Sequence, residues 1–214
     1  NEGEFEAMYR AKEESKKYAE EISKKKDDYY LIPPGGASPL GTLGFINAYL
    51  EMKAQEFKKD LNFKNIFHAT GTGGTLGGLT AANKYLEDNV KVWGINVSQK
   101  DKGYLKEVAD LSTEALKLLG INFKLNSSDI LVDNNYVGEG YEIPSAAANR
   151  AVKIFAEEEG IFLDPVYTGK AAAGMIDYLE KEKIAKGSEL LFWHTGGTNA
   201  LFAEKKLLGD VLEK

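Results

Sequence analysis

Apolar and polar positions along this chain follow two different periods, and the switches between them mark out a repeated strand and helix order. Short apolar runs predict strands over residues 29–32, 65–69, 91–97, 130–132 and 190–194. Between them, apolar residues at three- and four-residue spacing predict helices over 5–26, 39–59, 76–88, 104–119, 144–159 and 171–183. The first helix has only a modest stripe of Phe5, Met8, Ala11, Tyr18 and Ile22, with Glu13/Lys17 and Glu20/Lys24 at i,i+4, and reads as charged and weakly buried. In the second, Ser38 can cap, Pro39 can open the helix, and Leu43, Ile46, Leu50 and Phe57 share a side. Such alternation predicts an α/β chain whose open, twisted, mostly parallel sheet carries helices on both faces.

In a sheet of this kind ligands gather beyond the carboxyl ends of the strands. Three polar segments fall there: Thr70-Gly71-Thr72-Gly73-Gly74-Thr75 after strand 65–69, Asp164 to Lys170 leading into a helix, and Thr195-Gly196-Gly197 after the last strand. At the first, the free N–H groups of a helix start carry the positive end of its dipole, and a phosphate is the natural occupant. Gly71, Gly73 and Gly74 allow close backbone approach, and the hydroxyls of Thr70, Thr72 and Thr75 can add hydrogen bonds. The plainer reading of the same residues is a glycine-rich turn with no ligand. The segment lacks the lysine of a nucleoside-triphosphate loop, and Leu76 stands where a dinucleotide fingerprint needs its last glycine, so a small phosphorylated cofactor is the expected ligand.

Composition narrows the classes further. The 214 residues carry a net charge of −6, and the basic runs at Lys16-Lys17 and Lys24 to Lys26 lie among glutamates, which argues against nucleic acid as the main partner. No stretch is apolar for long enough to cross a bilayer, the N-terminus lacks the pattern of a signal peptide, and cysteine is absent; the expectation is a cytoplasmic protein. His68 and His194 each stand at a strand end beside a glycine turn, where a core or supporting role is expected, and two histidines without cysteine or clustered carboxylates make no metal site.

Four segments then carry a resemblance: Leu31 to Gly36, Thr70 to Thr75, Leu163-Asp164-Pro165-Val166-Tyr167-Thr168-Gly169-Lys170, and His194-Thr195-Gly196-Gly197-Thr198. In this order they are similar to the D-cysteine desulfhydrase and 1-aminocyclopropane-1-carboxylate deaminase family of pyridoxal-phosphate enzymes. The resemblance implies the tryptophan-synthase-β-like fold, fold type II of these enzymes, with Thr70 to Thr75 holding the phosphate of pyridoxal 5'-phosphate. It implies substrate-facing roles for Tyr141 and Tyr167, and cofactor contacts from Thr168, Thr195 and Gly196. The family's Gly-Gly-Asn-Lys-like segment, which bears the lysine that binds the cofactor covalently, and its Ser-Asn-His-like segment have no counterpart here. The chain thus resembles roughly the C-terminal two-thirds of a full enzyme, with residues 1–28 as a remnant of the small domain and 29–214 as an incomplete cofactor domain. Association with the missing N-terminal portion, or a homodimer, is expected.

Lys170 is the tempting substitute for the lost lysine, but a lysine at a helix start is expected to be solvated or paired with a carboxylate. In the deaminase branch a glutamate keeps the ring nitrogen protonated; here that position is Thr168, and Thr195 matches the hydroxyl of the desulfhydrase branch. A ring held by a neutral hydroxyl is a weaker electron sink, sufficient when the leaving group is a thiolate. The expectation is a lyase taking D-cysteine to pyruvate, ammonia and hydrogen sulfide. Open beside it stand the cyclopropane-amino-acid deaminase and a non-catalytic member that at most binds the cofactor phosphate.

Overall fold

The computed structural model describes residues 32–203, together with positions 14, 17, 18 and 20–22. Most of the expected helix 5–26 and strand 29–32 lies outside the described residues; Glu14, Lys17, Tyr18, Glu20, Glu21 and Ile22 are helical, and Ile32 is irregular. From there the order is α1 (Pro39–Lys59), β1 (Asn65–Thr70), α2 (Gly74–Tyr85), β2 (Lys91–Asn96), α3 (Tyr104–Leu118), β3 (Leu131–Asp133), α4 (Ala146–Glu159), α5 (Thr168–Glu180), β4 (Leu190–Phe192) and α6 (Thr198–Ala203).

The four strands lie in the order β3-β2-β1-β4, and every neighbouring pair is parallel, with Phe67 opposite Trp93 on one side and opposite Phe192 on the other. Period-two alternation sends side chains to two cores. On one face Ile66 and Val92 meet Ile46, Leu76, Leu79, Val108 and Leu116 from α1, α2 and α3; on the other Phe67, Ile95 and Val97 meet Val152, Leu163 and Met175 around α4 and α5. The connections from β1 to β2 and β2 to β3 thus cover one face, and the connection from β3 to β4 covers the other. That reversal places the topological switch between the carboxyl ends of β1 and β4, where such sheets bind ligands.

Two boundaries matter later. Helix α1 buries Thr42, Ile46, Tyr49, Met52 and Glu56, whereas Leu50 and Phe57, expected on its inner side, face outward. Two of the inward polar groups are satisfied, since Tyr49 donates to Asp88 at 2.9 Å and Glu56 accepts from the Phe63 N–H at 2.6 Å, while the Thr42 hydroxyl has no partner among the described residues. Helix α5 begins at Thr168, three residues before its expected start, so Lys170 lies within its first turn.

Candidate active site

Strand β1 ends at Thr70 and the chain turns through Gly73, at φ 93°, into α2. That conformation is open to glycine and strained for other residues, and a Cβ at Gly73 would stand 2.6 Å from Val108 Cγ2. Gly73 caps the helix without any side-chain acceptor, so the first N–H groups of α2 keep no intrahelical partner. The hydroxyls divide their work. Thr70 is buried and its Oγ1 shares a hydrogen bond with the Tyr104 hydroxyl at 2.8 Å, so it ties the strand end to α3. The phenol of Tyr104 is pushed up to about 12, first by burial. Thr72 lies against the Pro33-Pro34-Gly35-Gly36 turn, close enough that a Cβ at Gly35 would overlap its Oγ1.

Across the switch point the construction depends on side chains. Asp164 is fully buried and accepts from the N–H groups of Val166, Tyr167 and Thr168 at 2.7–2.9 Å and from Thr168 Oγ1 at 2.6 Å. It is the carboxylate that starts α5. The Thr168 hydroxyl also accepts from the Asp164 N–H at 2.9 Å, so both its donor and an acceptor site are engaged inside this turn. Gly197, at φ 93°, lies directly against Asp164: a Cβ there would stand 2.6 Å from Oδ1. His194 shapes the same turn, donating from Nε2 to the Phe162 carbonyl and accepting at Nδ1 from the Gly196 N–H, both at 3.1 Å. Thr195 is exposed, with no hydrogen-bond partner for its hydroxyl among the described residues.

Tyr141 and Tyr167 come from different loops and meet. Their hydroxyls are hydrogen-bonded, their rings cross edge to face with centroids 5.9 Å apart, and both are exposed, at 36% each. Burial first, and then the neighbouring phenol, pushes Tyr167 well above the usual tyrosine range, so it stays protonated.

Lys170 corrects the expectation drawn from its sequence position. It is buried and has no ion-pair partner among the described residues: Nζ donates to the Gly140 carbonyl at 2.8 Å and toward that of Val97 at 3.4 Å. Burial lowers its pKa, opposed by the charge of Asp164. The reason is the earlier start of α5, which turns this residue inward along with the buried run Ala171 to Gly174. Through it the segments join in sequence around the sheet end. A Cβ at Gly71 would touch Val97; Val97 and Gly140 share Lys170; Tyr141 meets Tyr167; and Asp164 meets Gly197.

His68 matches its expected core role. It is fully buried in β1, Nδ1 donates to the Ala69 carbonyl at 2.9 Å, and Nε2 has no partner among the described residues. Burial holds the imidazole down to about 4. Among the described residues no group of three His, Cys, Asp or Glu could hold a metal, and no helix is long and apolar enough to cross a membrane. A cleft of about 190 Å³ lined by Thr80, Asn83, Lys84, Asp88 and Asp129 lies at the opposite, amino end of β2, where Lys84 and Asp129 pair at 3.4 Å.

Comparison with known proteins decides the family. Residues 5–196 match the family model described as pyridoxal-phosphate dependent enzyme. The chain belongs to that pyridoxal-phosphate dependent family. A solved structure described as an ACC deaminase homologue is similar at 35% identity and a TM-score of 0.80, over 93% of this chain and 60% of the other. An O-ureido-L-serine synthase (19% identity, TM-score 0.55, 83% of this chain and 52% of the other) and a hydrogen sulfide-producing enzyme (16%, 0.53, 92% and 55%) share the fold. The chain therefore spans about 60% of the length of the first of these structures, and its α/β fold with a parallel sheet is the tryptophan-synthase-β-like one.

The residues present fit the phosphate end of the family's cofactor. Gly73, without a side chain and with positive φ, opens the start of α2, so that the N–H groups of Gly74, Thr75 and Leu76 and the hydroxyls of Thr72 and Thr75 are the groups that would hold it. Of the lysines near this site, Lys170 has its amine committed to two carbonyls, and Lys100 donates to Ser98 Oγ at 2.8 Å with its ammonium over the Tyr104 ring.

Two contributors carried no expected role. Asp164 had a local signal, an acidic residue followed by proline in the turn ahead of a helix, four residues before its observed start. Lys170 had a weaker one, the run of small residues after it, which marks a helix start with no room for solvent.

Proposed function

We propose that this chain is the cofactor-holding portion of a lyase that eliminates the thiol from D-cysteine. The overall change is D-cysteine and water to pyruvate, ammonia and hydrogen sulfide: the Cα–H and Cβ–S bonds break in the elimination, and hydrolysis then breaks the Cα–N bond and places the water oxygen in the ketone of pyruvate. When bound, pyridoxal phosphate supplies an electron sink for the carbanion at the substrate α-carbon. The chain's own part is to hold the phosphate on α2 and to orient the substrate beside Tyr141 and Tyr167, with the Tyr167 phenol, kept protonated by its raised pKa, as a hydrogen-bonding group. Thr195 and Gly196 line the far side.

The observation that supports the choice of substrate is Thr168. Its proton is committed to Asp164 at 2.6 Å, and a hydroxyl so placed cannot keep a pyridine nitrogen protonated as a carboxylate would. A weaker sink suits a thiolate leaving group.

A second reading, deamination of the cyclopropane amino acid, is favoured by the likeness to an ACC deaminase homologue. Because the chain spans only part of that structure, the covalent amine on this proposal comes from a further polypeptide portion. The assembly, a homodimer or a complex with that portion, works in the cytoplasm; a member that binds only the phosphate is the remaining outcome. The test measures sulfide and pyruvate from D-cysteine, and ammonia from the cyclopropane acid, with the longest natural form of the protein. Sulfide from D-cysteine alone supports the proposal. Ammonia from the cyclopropane acid alone replaces it with the deaminase, and neither product leaves a binding protein.

A further inference from the structure

We propose that Lys170 is a positioning residue, a tethered cation that holds the Gly138-Glu139-Gly140-Tyr141 loop on the carboxyl end of β2 and thereby sets Tyr141 against Tyr167. This deepens the proposed function and rests on its reading of the tyrosine pair as substrate-facing.

The placement of the ammonium is costly in two ways. It is withdrawn from water, and it lies in the first turn of α5, where the helix dipole disfavours positive charge. Its compensation comes from backbone carbonyls of two separate segments, Gly140 at 2.8 Å and Val97 at 3.4 Å, with the charge of Asp164 nearby. Each carbonyl is strategic. Gly140 is bonded directly to Tyr141, whose hydroxyl meets that of Tyr167. Val97 donates its N–H to the Thr70 carbonyl at 3.2 Å and touches the space above Gly71, so it belongs to the entrance of the glycine loop. One amine therefore joins the tyrosine side of the site to its phosphate side. A neutral side chain of the same length would fill the volume and leave both carbonyls buried without a donor.

The supporting frame is narrow elsewhere. Gly138, at φ 70°, and Gly140 give the loop little intrinsic stiffness, and Ile143 packs beside Gly140 but is itself 40% exposed. Tyr136, on the near side, is fixed separately through its hydroxyl to Asp177 at 2.7 Å. Loss of the amine should free residues 138–143 and leave the flanking segment, held by buried Val137 and by Tyr136, in place.

Limited proteolysis of the chain without cofactor or substrate tests this. In Lys170→Met, cleavage after Glu139 and Glu142 by a glutamate-specific protease should quicken about tenfold or more while cleavage at Glu51 and Glu56 of α1 stays unchanged. In Lys170→Ala, added methylammonium should restore the resistance and tetramethylammonium, which has no N–H, should not. Unchanged cleavage after Glu139 and Glu142, an equal rise at Glu51 and Glu56, or equal rescue by both cations would each overturn the proposal. Should the variants fail to fold, acylation of the unaltered chain answers the same question: Lys170 should react at the rate of the local opening that admits the protease at Glu139, and reaction only on global unfolding would overturn the clamp. None of these readouts uses pyridoxal phosphate or D-cysteine, so their failure is separate from failure of the proposed activity.

Discussion

The two sides of the switch point are built from different materials. On the phosphate side, Thr70 to Thr75, the shape comes from backbone: Gly73 at positive φ, a helix start without a side-chain cap, and a threonine tied back to α3. On the tyrosine side, Asp164 to Lys170 with Gly140 and Tyr141, the shape comes from buried polar side chains that each hold several partners. A backbone-built site is resistant to every change except one that adds a side chain. A site built from side chains depends on each of a few groups, because removing one leaves its partners buried and unpaired.

The largest expected break in that contrast is Asp164→Ala, which strands three backbone N–H groups and the Thr168 hydroxyl at the start of α5; about 3–4 kcal/mol of stability should be lost, read by denaturant unfolding. The phosphate side has its own weak point in acid. His68 sits in β1 with its pKa lowered from 6.5 to about 4, so between those values the unfolded chain binds the extra proton and folding weakens as pH falls. The full effect across that window is about 3 kcal/mol, and His68→Gln should flatten the stability profile between pH 6.5 and 4. Next comes Gly73→Ala, which forces a strained φ and a clash with Val108. About 2–3 kcal/mol should be lost, and binding of pyridoxal phosphate, followed by its absorbance, should fall with it. Equal losses of phosphate affinity in the Asp164 and Gly73 variants would erase the distinction between the two sides. The smallest effect is Thr70→Val, which removes only the bond to Tyr104 and should cost about 1 kcal/mol, with phosphate affinity retained; a large loss of affinity would show that the Thr70 hydroxyl faces the ligand after all.

Legibility follows the same division. The glycine loop could be read from the chain because glycine at a strand-to-helix junction states a backbone requirement in its own identity. The strand and helix order, and the parallel sheet, could be read for a similar reason, since period and spacing are local. Helix α1 was harder: Leu50 and Phe57 advertise an inner face by type, yet Tyr49 and Glu56 are buried there, Tyr49 with its hydroxyl paired to Asp88 and Asn83 across the fold and Glu56 accepting from the Phe63 N–H. Asp164 stood in a quoted motif without a role, and Lys170 was expected in solvent because its two acceptors lie 30 and 73 positions away along the chain.

The sequence alone determined the α/β class, the glycine-built start of α2 and the resemblance that led to pyridoxal phosphate, because each depends on residues adjacent in the chain. Tertiary structure alone decided that Tyr141 and Tyr167 touch, that Thr168 spends its hydroxyl on Asp164, and that Lys170 is buried between two carbonyls. Those are pairings across the sheet end, and the energy of a buried polar group is set by the partners that folding brings to it.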